Sequence, residues 1–238
     1  MDNAIYATLN RQSGLMREMR VVANNMANAN TTGFRREGVI FSEYLVSLDR
    51  SGNTLSMANA RGRLIDARQG GLTQTNGTYD LALEGEGYFM VETPQGNMLT
   101  RAGAFIASAD GSLMTADGAR LLDDGQAPVI VPDGVRSVAI GPDGTLSADG
   151  TPVAQIGVFA SPDPASMAYQ GGTRFSTTAD VEPAEDVRIH QGFLEESNVD
   201  PVAEISRMIE VQRAYELGQS FMEREDERIR NAITAMTR

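Results

Sequence analysis

Cysteine, tryptophan and lysine are absent from the 238 residues, and histidine occurs once. The missing thiols exclude disulfides, thiolate catalysis and cysteine-based metal sites. They fit an oxidising compartment without requiring one. The single His190 stands in an Arg188-Ile189-His190 run, with no His-Glu-x-x-His pattern that would bind a catalytic zinc. No catalytic, cofactor-binding or metal residue is expected.

Aromatic residues make up 6% of the chain, whereas methionine is used twelve times. Methionine is unbranched and adaptable, and it suits both core gaps and surfaces that repack against partners. No run approaches the ~20 apolar residues of a membrane helix. Polar residues also punctuate Met1 to Asn30, so the apolar stretch of a cleaved secretory signal is missing. Neither direct membrane insertion nor an ordinary cleaved signal is expected.

All twenty basic residues are Arg, and the net charge is -12. Nucleic acid and anionic membrane surfaces need concentrated positive charge, so neither is expected as a partner. The charge is unevenly spread. Residues 1–40 carry five Arg against three acids, residues 195–238 carry six against ten, and the middle holds most of the deficit.

Ile5, Leu9, Met16, Met19, Ala23 and Met26, with Gln12 filling the one gap, step by alternating fours and threes. That is a heptad-like seam, and it predicts an N-terminal helix over about residues 4 to 30. Asn24, Asn25 and Asn28 fall inside this pattern on neighbouring faces. Asn is mildly unfavourable within helices, so their amides are expected to find partners on the following loop or on another chain. Gly33 stands where a left-handed residue would end the segment.

Phe41, Tyr44, Leu45 and Leu48 then suggest a short amphipathic turn, and residues 49–70 lack a sustained period. The stretch 35–70 therefore reads as an extended connector, of a length that suggests a segment lying along other subunits. From about residue 71 the texture becomes short apolar runs separated by turns. Asp-Gly recurs at positions 110, 117, 124, 133, 143 and 149, each a favourable turn dipeptide. An all-β domain over 71–192 follows, with 161–173 read as a loop.

Asp200-Pro201 announces the last helix, Asp200 as cap and Pro201 at the first helical position. Its seam runs through Met208, Val211, Tyr215, Gly218, Met222, Ile229, Ala232 and Met236, interrupted by Glu225. So long an amphipathic helix requires a partner helix, and the N-terminal one is available. The fold class is α+β: two long terminal helices in an antiparallel, coiled-coil-like pair around a central all-β domain.

Three chemical motifs dissolve on inspection. Gly85-Glu86-Gly87 has Met90 where a dinucleotide fingerprint needs a third glycine. The Asp-Gly pairs lack the alternating oxygen ligands and distal Glu of a calcium loop. Glu84 and Glu86, two apart on one strand face, are too close to flank a sugar between them.

The stretch Ala23-Asn24-Asn25-Met26-Ala27-Asn28-Ala29-Asn30-Thr31-Thr32-Gly33-Phe34 closely resembles the N-terminal signature of the bacterial flagellar rod, hook and hook-associated family. The resemblance continues through Gln69 to Thr75, Asp80 to Val91, Leu99 to Phe105, Leu194 to Pro201 and Gln212 to Glu216, in the family's order. It implies an axial structural protein of the basal body, exported by the flagellar type III apparatus and assembled in the periplasm. The modest β domain resembles rod members rather than the longer hook protein. Residues 45–70 lack the Pro-Thr-Gly and Gly-rich passage usual in the distal-rod member, so a proximal-rod subunit is expected. The alternatives are the distal-rod paralogue or a peptidoglycan-cleaving enzyme of rod assembly. Partners implied are other rod proteins, proximal and distal, copies of itself and the export apparatus.

The expected organisation is helix 1–34, connector 35–70, β domain 71–192 and helix 193–238. Assembly contacts are expected from Ile5, Leu9, Met16, Met19, Asn24, Asn25, Met26, Asn28, Thr31, Gly33 and Phe34 at one end. At the other end they are expected from Met208, Val211, Tyr215, Met222, Ile229 and Met236.

Overall fold

The structure is a computed structural model that describes residues 2–47, 54–162 and 166–236, with side chains for 8–40, 64–162 and 166–236. A helix at each end and strands between make the chain α+β. It divides into two compact units. One comprises Met1–Ala27, Glu37–Asp66 and Asp200–Arg238; the other comprises Asn28–Arg36 and Ala67–Val199.

In the helical unit, α1 spans Asp2–Ala27. It stops three residues short of the expected end because Asn28 opens a turn. Thr31 N donates to Asn28 O at 3.0 Å, and the Thr31 hydroxyl donates to Asn28 Oδ1 at 3.2 Å. Helix α2 spans Pro201–Met236, 36 residues. Asp200 Oδ1 accepts from Val202 N at 2.9 Å and from Ala203 N at 3.2 Å, satisfying two of the amides a helix start leaves open.

Residues 35–70, expected as an extended connector, hold a two-stranded ribbon. Glu37–Ser47 (β1) and Thr54–Ile65 (β2) pair antiparallel from Glu37 opposite Ile65 to Ser47 opposite Thr54, with a bulge at Ile40/Phe41. The expected amphipathic turn at Phe41, Tyr44 and Leu45 is thus a strand, and Leu48 lies outside the described residues. Val39, Ile40, Phe41, Tyr44 and Val46 carry ordinary strand preference. Their partner, rich in Ser, Ala, Asn and Gly, does not. Cross-strand pairing supplies what local composition lacks, which is why no period announces the ribbon.

The second unit is all β. Its main sheet centres on Tyr88–Thr93, which pairs with Gly96–Thr100 along one edge and with Arg120–Leu121 and Val158–Ala160 along the other. The sheet continues outward through Arg174–Thr177 to Met167–Tyr169, and through Leu113–Thr115 to Phe105–Ala107. Met167–Tyr169 falls where the sequence suggests a loop; Gly171-Gly172 is the turn of its hairpin with Arg174–Thr177. A three-stranded sheet of Val138–Ile140, Thr145–Ala148 and Thr151–Gln155 adds to the unit. Two further pairs, Leu81–Glu84 with Arg188–Gln191 and Leu72–Gln74 with Phe193–Glu195, complete it.

One apolar core serves these sheets: Leu81, Leu83, Phe89, Val91, Phe105, Leu113, Leu121, Leu146, Ile156 and Ile189 are all buried. Phe89 and Phe105 meet edge to face at 5.5 Å. Each such side chain contributes about 1.5–3 kcal/mol by leaving water, so this unit has its own driving force for folding.

Five of the six Asp-Gly pairs place the glycine at positive φ; at Asp124-Gly125 the left-handed residue is Gln126, at 62°. Three of the turn carboxylates are locked by hydroxyls. Ser112 Oγ donates to Asp110 at 2.7 Å, Thr115 Oγ1 to Asp117 at 2.6 Å, and Thr145 Oγ1 to Asp143 at 2.7 Å. These hydrogen bonds hold all three carboxyls below the ordinary value of 3.8. A carboxyl depressed in the folded state adds stability that is fully present above its unfolded pKa and lost as pH falls through the folded one. The melting temperature of the β-rich unit should therefore stay level from pH 7 to about 5 and fall below about 4. The Asp110→Asn/Asp117→Asn/Asp143→Asn variant should have a shallower acid limb. Equal acid slopes for variant and parent would contradict the assignment.

Candidate assembly interface

The two helices of the first unit run in opposite directions, as three contacts establish. Asn25 Nδ2 donates to Glu204 Oε2 at 3.3 Å, Arg207 Nε donates to Glu18 Oε1 at 2.6 Å, and Gln12 Nε2 donates to the Tyr215 carbonyl at 3.0 Å. Along α2, Glu204, Met208, Val211, Tyr215, Gly218, Met222, Glu225 and Ile229, alternately four and three apart, are buried or half-buried, as are Ala214 and Ser220 beside them. Met236, also expected on this stripe, is 88% exposed.

On α1 the inward stripe departs from the expected one. Gln12, Leu15, Glu18, Val22 and Asn25 face inward, with Val21 also buried. Beyond Gln12, this lies one residue N-terminal to the run Met16, Met19, Ala23, Met26. Met16 and Ala23 are exposed, as is Leu9, while Met19 and Met26 are half-buried at the flanks. The Ile5 side chain lies outside the described residues. Apolar spacing misplaces the stripe because the inward positions are polar and find polar partners. Such contacts fix register and direction better than interchangeable apolar ones.

Asn25 is fully buried and carries the corner between α1 and the ribbon. Its Oδ1 accepts from Glu37 N at 2.9 Å, and its Nδ2 donates to Glu37 O at 2.8 Å. The amide thereby replaces a backbone partner for the first residue of β1, and it is not open to another chain. Asn24 and Asn28 are half-buried.

Gly218 permits the close approach of Gln12: a Cβ there would lie 2.7 Å from Gln12 Nε2. Beside it runs a groove of about 390 Å³, lined by Thr8, Arg11 and Leu15 of α1 and Ala214, Leu217 and Phe221 of α2. Leu217 is 69% exposed. Val202, Ile205, Ile209, Phe221 and Ile233 of the same helix are also exposed. Of the 36 residues of α2, Glu204 and Val211 are buried.

Thr31, Gly33 and Phe34 belong to the β-rich unit. Gly33 takes φ of +68°, and a Cβ there would stand 2.3 Å from Ala102 N. Phe34 is buried, edge to face with Tyr169 at 5.6 Å, and the ring series continues from Tyr169 to Phe175 and from Phe175 to Tyr88. Gly33 and Phe34 are therefore internal to the subunit, a correction to their expected place on a face open to neighbours. Thr31 is half-buried and borders a separate pocket with Thr100, Thr115 and Thr173.

Sequence reading passed over the charged residues beside them. Arg35, Glu195 and Arg101 have relative exposures of 1%, 1% and 3%. Arg35 Nη2 sits 2.9 Å from Glu195 Oε1, an ion-pair distance at an angle unsuited to a hydrogen bond, and Arg101 Nη1 donates to Glu195 Oε2 at 3.2 Å. Arg101 also lies over the Tyr88 ring, 5.3 Å from its centroid. Burial raises the Tyr88 phenol above its ordinary value against the pull of both arginines, so it stays neutral. Burial also lowers the Arg101 guanidinium, with Glu195 opposing. Arg101 and Glu195 each stand inside a quoted motif and Arg35 directly follows one, but their spacing in sequence gives no sign that they meet. His190 and Glu84, also read separately, meet across two strands at 2.8 Å.

A family model described as "Flagella basal body rod protein" matches residues 5–35. One described as "Flagellar hook protein FlgE/F/G D1 domain" matches 82–148, and one described as "Flagellar basal body rod FlgEFG protein C-terminal" matches 190–235. The chain is 39% identical to the flagellar basal-body rod protein FlgF of Caulobacter vibrioides, over 98% of this chain and 97% of that one. It is 34% identical to FlgF of Mesorhizobium japonicum over 93% and 92%, and 29% identical to the rod protein FlgG of Bacillus subtilis over 98% of each. The chain belongs to the flagellar basal-body rod protein family.

Gly33 gives a direct test of the junction. Gly33→Ala should cost at least about 2 kcal/mol in urea unfolding, since it adds a backbone clash to the left-handed penalty of about 1–2 kcal/mol. Gly118→Ala, at φ of +87° with open space around it, should cost that penalty alone. Equal losses would show that the close approach to Ala102 constrains nothing.

Proposed function

We propose that the chain is a structural subunit of the bacterial flagellar basal-body rod, in its proximal part. In this reading it polymerises through its terminal helices into the axial shaft that carries motor torque toward hook and filament. The observation that carries it is the exposure of α2, a 36-residue helix with two buried residues. Isolated helices are marginal in water, and most helical stability in proteins comes from packing an apolar face. A helix so long, with Ile209, Leu217 and Phe221 exposed, gains that packing from neighbours.

α1 and α2 act as an antiparallel, coiled-coil-like pair whose outer faces are completed by copies of this chain and by other rod proteins. The ribbon β1–β2 serves as the connector to neighbouring subunits, since two-stranded hairpins are marginal alone. The β-rich unit forms the outer wall. Export proceeds through the flagellar type III apparatus without a cleaved signal, and assembly takes place in the periplasm. Support for the proximal position comes from residues 45–70, which lack the Pro-Thr-Gly and Gly-rich passage usual in the distal-rod member.

Ile209→Asp/Leu217→Asp changes two side chains already exposed within the subunit, so its folded stability should shift by no more than about 0.5 kcal/mol each. Cells carrying it should be non-motile, with the protein absent from purified basal bodies. Met222→Asp, on the half-buried stripe, should behave alike. Normal swimming of both strains would contradict the reading.

A further inference from the structure

Residues 28–36 and 193–199 are short segments without helix or long strand, although the sequence expectation assigns most of them to the terminal helices. Their contacts say otherwise. Gly33 N donates to Glu195 O at 2.8 Å, and Glu196 N donates to Gly71 O at 2.8 Å. The Asn198 side chain holds two more points of the chain together: its Oδ1 accepts from Arg36 N at 2.6 Å and its Nδ2 donates to Arg68 O at 2.8 Å.

At the centre stands Glu195. Its carboxylate faces Arg35 and Arg101 and accepts from Gly70 N at 3.0 Å. Each arginine also reaches a carbonyl, Arg35 that of Arg68 and Arg101 that of Gly85. Four stretches of chain remote in sequence thus converge on one buried carboxylate: 33–36, 68–71, 101 and 195–198. Three of them adjoin points where the chain leaves the β-rich unit, at 36/37, 66/67 and 199/200.

A cluster of this kind is strongly specific. Removing the single carboxylate leaves two buried guanidiniums without an anion, which is strongly destabilising. Its directions are also fixed, because a guanidinium donates only along its planar fork.

We propose that Glu195, Arg35, Arg101 and Asn198 form a buried strap that keeps residues 28–36, 67–71 and 193–199 folded with the β-rich unit even when α1 and α2 are unfolded. Order then ends abruptly at Ala27/Asn28 and at Val199/Asp200, instead of fraying into the sheet. Under the proposed rod function, the strap is the point at which load borne by the helices enters the β-rich unit.

Hydrogen exchange on the purified full-length chain tests this. In the parent, the amides of Gly33, Arg36, Gly70 and Glu196 should exchange within about tenfold of the sheet amides Leu113 and Val129, and at least about a hundredfold more slowly than those of α2. In Glu195→Gln, their protection should fall by about a hundredfold or more while Leu113 and Val129 hold within tenfold. In Asn198→Ala, a smaller loss should be confined to Arg36 and to Gly70. Fast exchange of Gly33 and Glu196 in the parent would overturn the strap. So would equal loss in strap and sheet in Glu195→Gln; should that variant not fold, equal loss in Asn198→Ala decides against it. Slow exchange throughout α1 and α2 would count instead against the assembly reading, and leaves the strap to be judged by the variants.

Discussion

A helix holds its shape through the apolar surface it buries, and α2 buries too little. Its 36 residues include two that are buried, one of them the polar Glu204. The α1 side of the pair is equally polar, with Gln12, Glu18 and Asn25 among its buried residues. Contacts of this type set direction and register, but their net contribution is about 0.5–1.5 kcal/mol each. Leu9, Met16, Ile205, Ile209, Leu217 and Phe221 remain exposed. The helical unit is thus specified by its own contacts and left short of the burial that would stabilise it.

The β-rich unit has the opposite balance. Its core runs through both larger sheets, and hydroxyl-locked carboxylates fix its turns. It needs no second chain to account for its folding. Glu195 marks the change of regime: on one side of it lie strands buried among apolar neighbours, and five residues later comes the capping carboxylate of Asp200. The chain belongs to a family whose members are named rod proteins, and its β-rich unit carries its own core while its helices leave apolar side chains exposed.

Much of this was legible in the residues. Asp200-Pro201 announced α2 to the residue, the Asp-Gly pairs announced turns, and the spacing of Met208, Val211, Tyr215 and Met222 gave the less exposed stripe. The failures share a cause. Apolar spacing placed the α1 stripe one residue away from Glu18 and Asn25 because it gave no weight to polar side chains with distant partners. The ribbon escaped because Thr54–Ile65 owes its form to a strand eleven or more residues away in most of its pairings. Arg35 and Glu195 were passed over because they lie 160 positions apart in sequence. Local pattern reports what a residue prefers, and these residues are governed by what they meet.

The central claim is that the exposed apolar residues of the terminal helices are covered by neighbouring subunits. An electron-microscopy map of isolated basal bodies that resolves side chains tests it most directly. The account predicts this chain in the proximal rod, with Leu9, Met16, Ile209, Leu217 and Phe221 packed against helices of adjacent subunits. A map in which those side chains face solvent, or in which the chain is absent from the shaft, would contradict it.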